Sequence, residues 1–158
     1  IHMMTTAPDV FIDIFKPQPG DWVSFHPETT WHPYRLLEKI RSMGCKAGLA
    51  LAPGYPVEVV REMISVLDFV LVMAVSPGFA GQKMVPDHLD KLTRIKQIIA
   101  ESGKEIDIII DGNTNAGNAK KMIAAGATGL VVGTSSMLRG LDTFPQAYDD
   151  YVRAIAED

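Results

Sequence analysis

Two hydrophobic periods take turns along this chain. Four runs are almost continuously apolar, at 47–51, 69–75, 106–110 and 130–132. Such runs suit strands of a parallel sheet covered by helices. Between them the apolar spacing turns helical. Val10, Phe11, Ile14 and Phe15 predict a helix over 7–15, with Pro8 near its start. Leu36, Leu37 and Ile40 predict one over 33–43, stopped by Gly44. Further helices are predicted over 56–66, over 88–101 through Leu89, Leu92, Ile95, Ile98 and Ile99, over 115–125 closed by Gly126, and over 145–156. Short strands are read at 1–4 and 22–26. Six βα units with short connections predict a parallel α/β sheet of the barrel type. A (β/α)₈ barrel has eight strands and typically about 250 residues. The 158 residues here fall short of that by two units.

Three of the strands run into glycine. The first exit is Ser76-Pro77-Gly78-Phe79-Ala80-Gly81-Gln82, the second Asp111-Gly112-Asn113, the third Gly133-Thr134-Ser135. Glycine lets backbone amides approach an anion without side-chain obstruction. Barrel active sites lie at the C-terminal ends of the strands, so these exits predict a phosphate grip there. Residues 133–138 are expected to open a short helix whose amides, with the Thr134 and Ser135 hydroxyls, assist. An ordinary helix cap is the plainer alternative. Asp111, at the end of a buried strand, is the candidate acid/base, against a capping role for the next turn. His26 ends another strand and is expected near the mouth, whereas His32 and His88 read as loop and helix-surface residues. His2, in the first strand, is a candidate to point a ring nitrogen at a metal, against the plainer reading of a lone terminal histidine as a cloning-scar or solvent-exposed residue. The four histidines and Asp111 form no short-spaced ligand motif, so a metal site has to be assembled from separate strand ends.

Composition changes this picture little. The hydrophobic fraction of 47% and charged fraction of 22% are those of a globular domain. A net charge of −4 with dispersed basic residues gives no footprint for nucleic acid. No apolar stretch approaches the ~18 residues of a membrane helix. The single Cys45, just past a helix end, reads as a packed, inert thiol, and the lack of a disulfide partner fits a cytoplasmic location. The chain starts at Ile1-His2 without an initiator methionine or a signal-peptide pattern. It is therefore expected to be an N-terminally incomplete, single partial barrel domain over 1–158.

Four stretches, His2-Met3-Met4, 71–82, Asp111-Gly112-Asn113 and Gly133-Thr134, together resemble the ribulose-phosphate 3-epimerases and their hexulose-phosphate relatives. These are metal-dependent (β/α)₈ barrels, and the resemblance aligns this chain to their third through eighth βα units. It implies a divalent ion (Zn, Fe, Mn or Co) with His2 and Asp111 among its ligands, Asp111 being also a catalytic acid/base. It implies a methionine cap from Met4 and Met73. Substrate and phosphate contacts would come from His2, Gly78, Phe79, Ala80, Gly81, Gly112, Asn113, Gly133, Thr134 and Ser135. The implied reaction is epimerisation at C3 of a ketose phosphate, D-ribulose 5-phosphate to D-xylulose 5-phosphate, through an enediolate flanked by two carboxylates. The implied partners are the ketose phosphate and, in the intact protein, further copies of itself, with neither nucleic acid nor membrane. The chain also departs from the family pattern. The family's first two strands, which supply a Ser, a His ligand and the second Asp, are missing, so the fragment is expected to be inactive alone. Asn113 stands where the family has glycine. His26-Pro27-Glu28-Thr29 and Gly133-Thr134-Ser135 resemble the allulose-6-phosphate 3-epimerase branch, and a non-catalytic phosphate-binding remnant is the reading from another class.

Overall fold

In the computed structural model, which describes residues 1–138 and 143–156, six strands lie side by side in chain order, all parallel. They are β1 (His2–Met3), β2 (Trp22–Phe25), β3 (Lys46–Leu51), β4 (Phe69–Met73), β5 (Asp107–Asp111) and β6 (Gly129–Leu130). Helices α1 (Pro8–Phe15), α2 (Pro33–Ser42), α3 (Glu58–Met63), α4 (His88–Ser102) and α5 (Ala116–Ala125) connect them, and α6 (Phe144–Ala156) follows β6. A 3₁₀ turn, Pro27–Thr29, follows β2. None of these helices is long and apolar enough to cross a membrane.

Strand alternation sorts the side chains onto two faces. Val23, Phe25, Leu49, Leu51, Val70, Val72, Ile108 and Ile110 face outward and are buried with Ile12, Leu37, Ile40, Leu92 and Ile95 of the helices. Ala50, Phe69, Leu71 and Met73 form a second, smaller cluster with Trp22 and Ile109 on the inner face. Here Gly48 is dictated by packing, because a Cβ on it would lie 2.4 Å from the Phe69 ring. In a flat sheet β1 and β5 would stand about 19 Å apart, four strand spacings. Yet His2 Nδ1 on β1 lies 3.6 Å from Asp111 Oδ2 on β5. The sheet is rolled into a partial barrel, and the roll brings the inner-face residues of distant strands together.

Several boundaries differ from the sequence expectation. The strand expected over 130–132 is Gly129–Leu130, and that expected over 1–4 is His2–Met3. Both are edge strands with one neighbour each, so fewer ladder bonds hold them. The helix expected over 56–66 contracts to Glu58–Met63. Residues 134–137 form a turn instead of the expected helix start. The amides of Ser136, Met137 and Leu138 all converge on the Gly133 carbonyl, at 3.0, 3.1 and 3.1 Å. Ser136 Oγ adds bonds to the Gly133 N–H and C=O, the local competition with helix that serine offers. His88, expected on a helix surface, is buried. It is the first residue of α4 and is packed toward residues 53–57 beyond β3 and Met73 of β4. Cys45 is buried and free, as expected.

Candidate active site

All three glycine exits open into one cleft of about 300 Å³ at the C-terminal ends of β4, β5 and β6. Asp111 is the last residue of β5, in register with Met73 of β4, so both project from the inner face. Met73 is buried in the cleft floor, and Met4 borders it from beyond β1. The chain then turns sharply. Gly112 has φ +106°, and a Cβ there would meet Val75 Cγ2 at 2.6 Å, so glycine is needed twice over. Asn113 follows at φ +51°, a left-handed conformation that asparagine tolerates better than most residues. Its Oδ1 accepts from Met84 N–H at 3.2 Å and from Asn118 Nδ2 at 2.7 Å. This side chain ties the 76–85 loop to the end of β5, and the Asn113 carbonyl is itself taken by Asn118 Nδ2, which donates to it at 3.0 Å.

The 76–82 loop is also tied to itself. Gln82 Nε2 donates to the carbonyls of Ser76 at 2.7 Å and Phe79 at 2.9 Å. Among the described residues the amides of Phe79, Ala80 and Gly81, and those of Thr134 and Ser135, have no protein partner. They are free to receive an anion. The Gly133 amide is not, because Ser136 Oγ accepts its proton at 2.7 Å. Phe79 stands exposed on the rim.

His2 sits behind Asp111 and does not line the cleft. Its Nδ1 faces Asp111 Oδ2 at 3.6 Å, while its Nε2 lies 3.0 Å from Nε2 of His26. His26 is buried, and burial holds its imidazole below the ordinary value, helped by His2 and opposed by Glu28. Two ligand atoms about 2.1 Å from one ion in tetrahedral geometry stand about 3.4 Å apart. The His2 and Asp111 atoms match that spacing, and a nitrogen with a carboxylate oxygen suits zinc and its first-row neighbours. Among the described residues no three His, Cys, Asp or Glu side chains converge on one point as metal ligands. His2 and Asp111 therefore fit as two ligands of a larger set.

Two features escaped the sequence reading. The contact of His2 with His26 joins residues 24 apart and depends on the β1/β2 register, which pairs His2 with Ser24. The buried Lys91 donates to the carbonyls of Ala52, Pro53 and Tyr55, tying the loop after β3 to α4. A signal existed for Lys91: a charge at 91, among apolar 92, 95, 98 and 99, lies on the buried stripe of its helix.

By structure the chain resembles a mutant tryptophan synthase α-subunit from Pyrococcus furiosus, with a TM-score of 0.60 over 87% of this chain and 54% of that one. At 18% identity that likeness speaks for the fold alone. By sequence it is 36% identical to the ribulose-phosphate 3-epimerase of Escherichia coli (strain K12) over 135 residues, which are 85% of this chain and 60% of the relative. To the ribulose-phosphate 3-epimerase of Bacillus subtilis (strain 168) it is 38% identical over 136 residues, 85% of this chain and 63% of that one. The chain thus spans less than two thirds of the length of these relatives. Residues 1–137, from the His2 strand through the third glycine exit, match the ribulose-phosphate 3-epimerase family, and the chain belongs to it.

Proposed function

We propose that the protein containing this chain epimerises C3 of a ketose phosphate, interconverting D-ribulose 5-phosphate and D-xylulose 5-phosphate. One observation carries this reading. A lone carboxylate, Asp111, ends a buried strand in the floor of a cleft whose rim presents unpartnered amides. The amides of 79–81 and 134–135 hold the phosphate, and that remote binding orients the reacting carbon. Asp111 takes the C3 proton on its own face or returns one there. Inversion needs a second carboxylate on the opposite face, and Asp111 is the only one lining the cleft among the described residues. The chain alone is accordingly proposed to be inactive. Met4 and Met73 both line the cleft and give the reacting carbon an apolar side. A divalent ion bound through His2 and Asp111 would supply Lewis-acid stabilisation of the charge left when the proton departs.

A hexulose phosphate such as D-allulose 6-phosphate is the second reading. It is favoured by an open recess of about 690 Å³ beside the cleft, between Thr5, Glu28 and Pro77, with room for a longer substrate. The test joins this chain to the N-terminal segment of the Escherichia coli relative and measures turnover of both sugars. Asp111→Asn should cut turnover by about 10²–10⁴ while a phosphate analogue still binds. Near-parental turnover in that variant would make Asp111 a turn-capping residue. Phosphate binding without turnover in any form would make the chain a binding protein.

A further inference from the structure

The two Nε2 atoms of His2 and His26 are 3.0 Å apart, so one ring donates and the other accepts. A neutral imidazole carries one N–H, and each choice therefore fixes the two Nδ1 atoms as well. If His26 donates, its own Nδ1 is a bare lone pair. That nitrogen is buried, has no hydrogen-bond partner among the described residues, and lies 3.5 Å from Glu28 Oε1. A buried lone pair against a carboxylate is repulsive, with no water to relieve it. If His2 donates, the buried Nδ1 of His26 carries a proton toward Glu28. The remaining lone pair is then on His2 Nδ1, which faces Asp111 where both side chains are partly exposed, at 17% and 29%. Solvent or a cation can reach that position. The second arrangement is the one that burial selects.

We infer that His26, oriented by Glu28, is a positioning residue that holds His2 as the Nε2–H tautomer and so turns its Nδ1 lone pair toward Asp111. His26 touches neither Asp111 nor the cleft floor in this role. Its effect passes through His2, in the manner of outer-shell partners that orient ligand histidines. The part of the inference that concerns a metal rests on the proposed function; the tautomer part does not.

Long-range ¹⁵N–¹H spectra of the metal-free full chain read the tautomers directly, at about pH 8, above the ordinary histidine range. The expected result is a proton on His2 Nε2 and on His26 Nδ1, whether or not the chain goes on to bind metal. A proton on His2 Nδ1 instead overturns the inference. Glu28→Gln replaces the anion with a neutral amide and should populate the reverse tautomer; an unchanged spectrum removes Glu28 from the chain of contacts and overturns its part. Zn²⁺ affinity, measured by chelator competition, should fall about 10–100-fold in His26→Phe, which cannot accept a hydrogen bond. It should return toward parental in His26→Gln, whose amide oxygen can. Parental affinity in a folded His26→Phe chain overturns the positioning role. A parent chain with the expected tautomers but no Zn²⁺ binding supports the hydrogen-bond inference and counts against the metal reading alone.

Discussion

His88 shows what burial does to a titratable residue that the fold uses only for packing. It is 1% exposed, and among the described residues neither ring nitrogen meets a partner at good hydrogen-bond geometry. Burial, and then Lys91, push its imidazole down to about 4, against a pull upward from the Met73 backbone. As pH falls below the ordinary histidine value, the unfolded chain takes up a proton that the folded chain refuses. The stability His88 confers is therefore complete above about pH 6.5 and is lost as pH falls through about 4, by about 3 kcal/mol in all. His26 titrates in the same direction. Urea midpoints between pH 7 and pH 4 should fall steeply in the parent and less so in His88→Met; equal falls would count against His88. At this scale the sequence was legible where one residue type answers a local demand. Asp111 and Gly112 could be read from their place after a strand. The surroundings of His88 could not, because they are built from residues 53–57 and 73, which a helical pattern at 88–101 does not report.

Among the elements, the inner face of the sheet is where sequence and packing constrain each other most tightly. Gly48 on β3 and Phe69 on β4 are register partners, and the aromatic ring occupies the space a Cβ would need. Gly48→Ala should destabilise the chain by about 1–3 kcal/mol through overpacking. Phe69→Ala opens a cavity of its own and should cost about 3–5 kcal/mol. With Phe69 already truncated, Gly48→Ala should cost little, and a double-mutant cycle on denaturant midpoints reads the difference as coupling. Additive effects would mean that the ring has another resting place. The central strands β3 and β4 were readable because burial on both faces makes them apolar almost throughout. The two-residue edge strands were overread, since an apolar run does not say how many ladder partners it will find. Pairing of successive strands followed from the βα alternation, whereas the roll that brings β1 to β5 depends on inner-face packing between strands far apart in sequence.

On the scale of the whole molecule the rolled sheet has two open margins, β1 and β6. Beside β1, helix α1 buries only Pro8 and Ile12 and exposes Val10, Phe11, Ile14 and Phe15. Val10 and Ile14, one turn apart, are 58% and 64% exposed, well beyond what a closed βα layer leaves to solvent. Free strand edges present unpaired backbone donors and acceptors, and an adjacent apolar stripe supplies the area that makes their pairing favourable. The 158-residue chain in isolation should therefore self-associate, with sedimentation coefficients that rise with concentration. Val10→Lys with Ile14→Lys, which places two charges on that stripe, should shift the distribution toward smaller species without lowering the denaturant midpoint by more than about 1 kcal/mol, as expected for exposed positions. A monodisperse monomer with cooperative unfolding would show that six strands close their own margins. Association unchanged by the double substitution would move the cause from α1 to the β6 side, where Val131 and Leu138 are the exposed apolar residues.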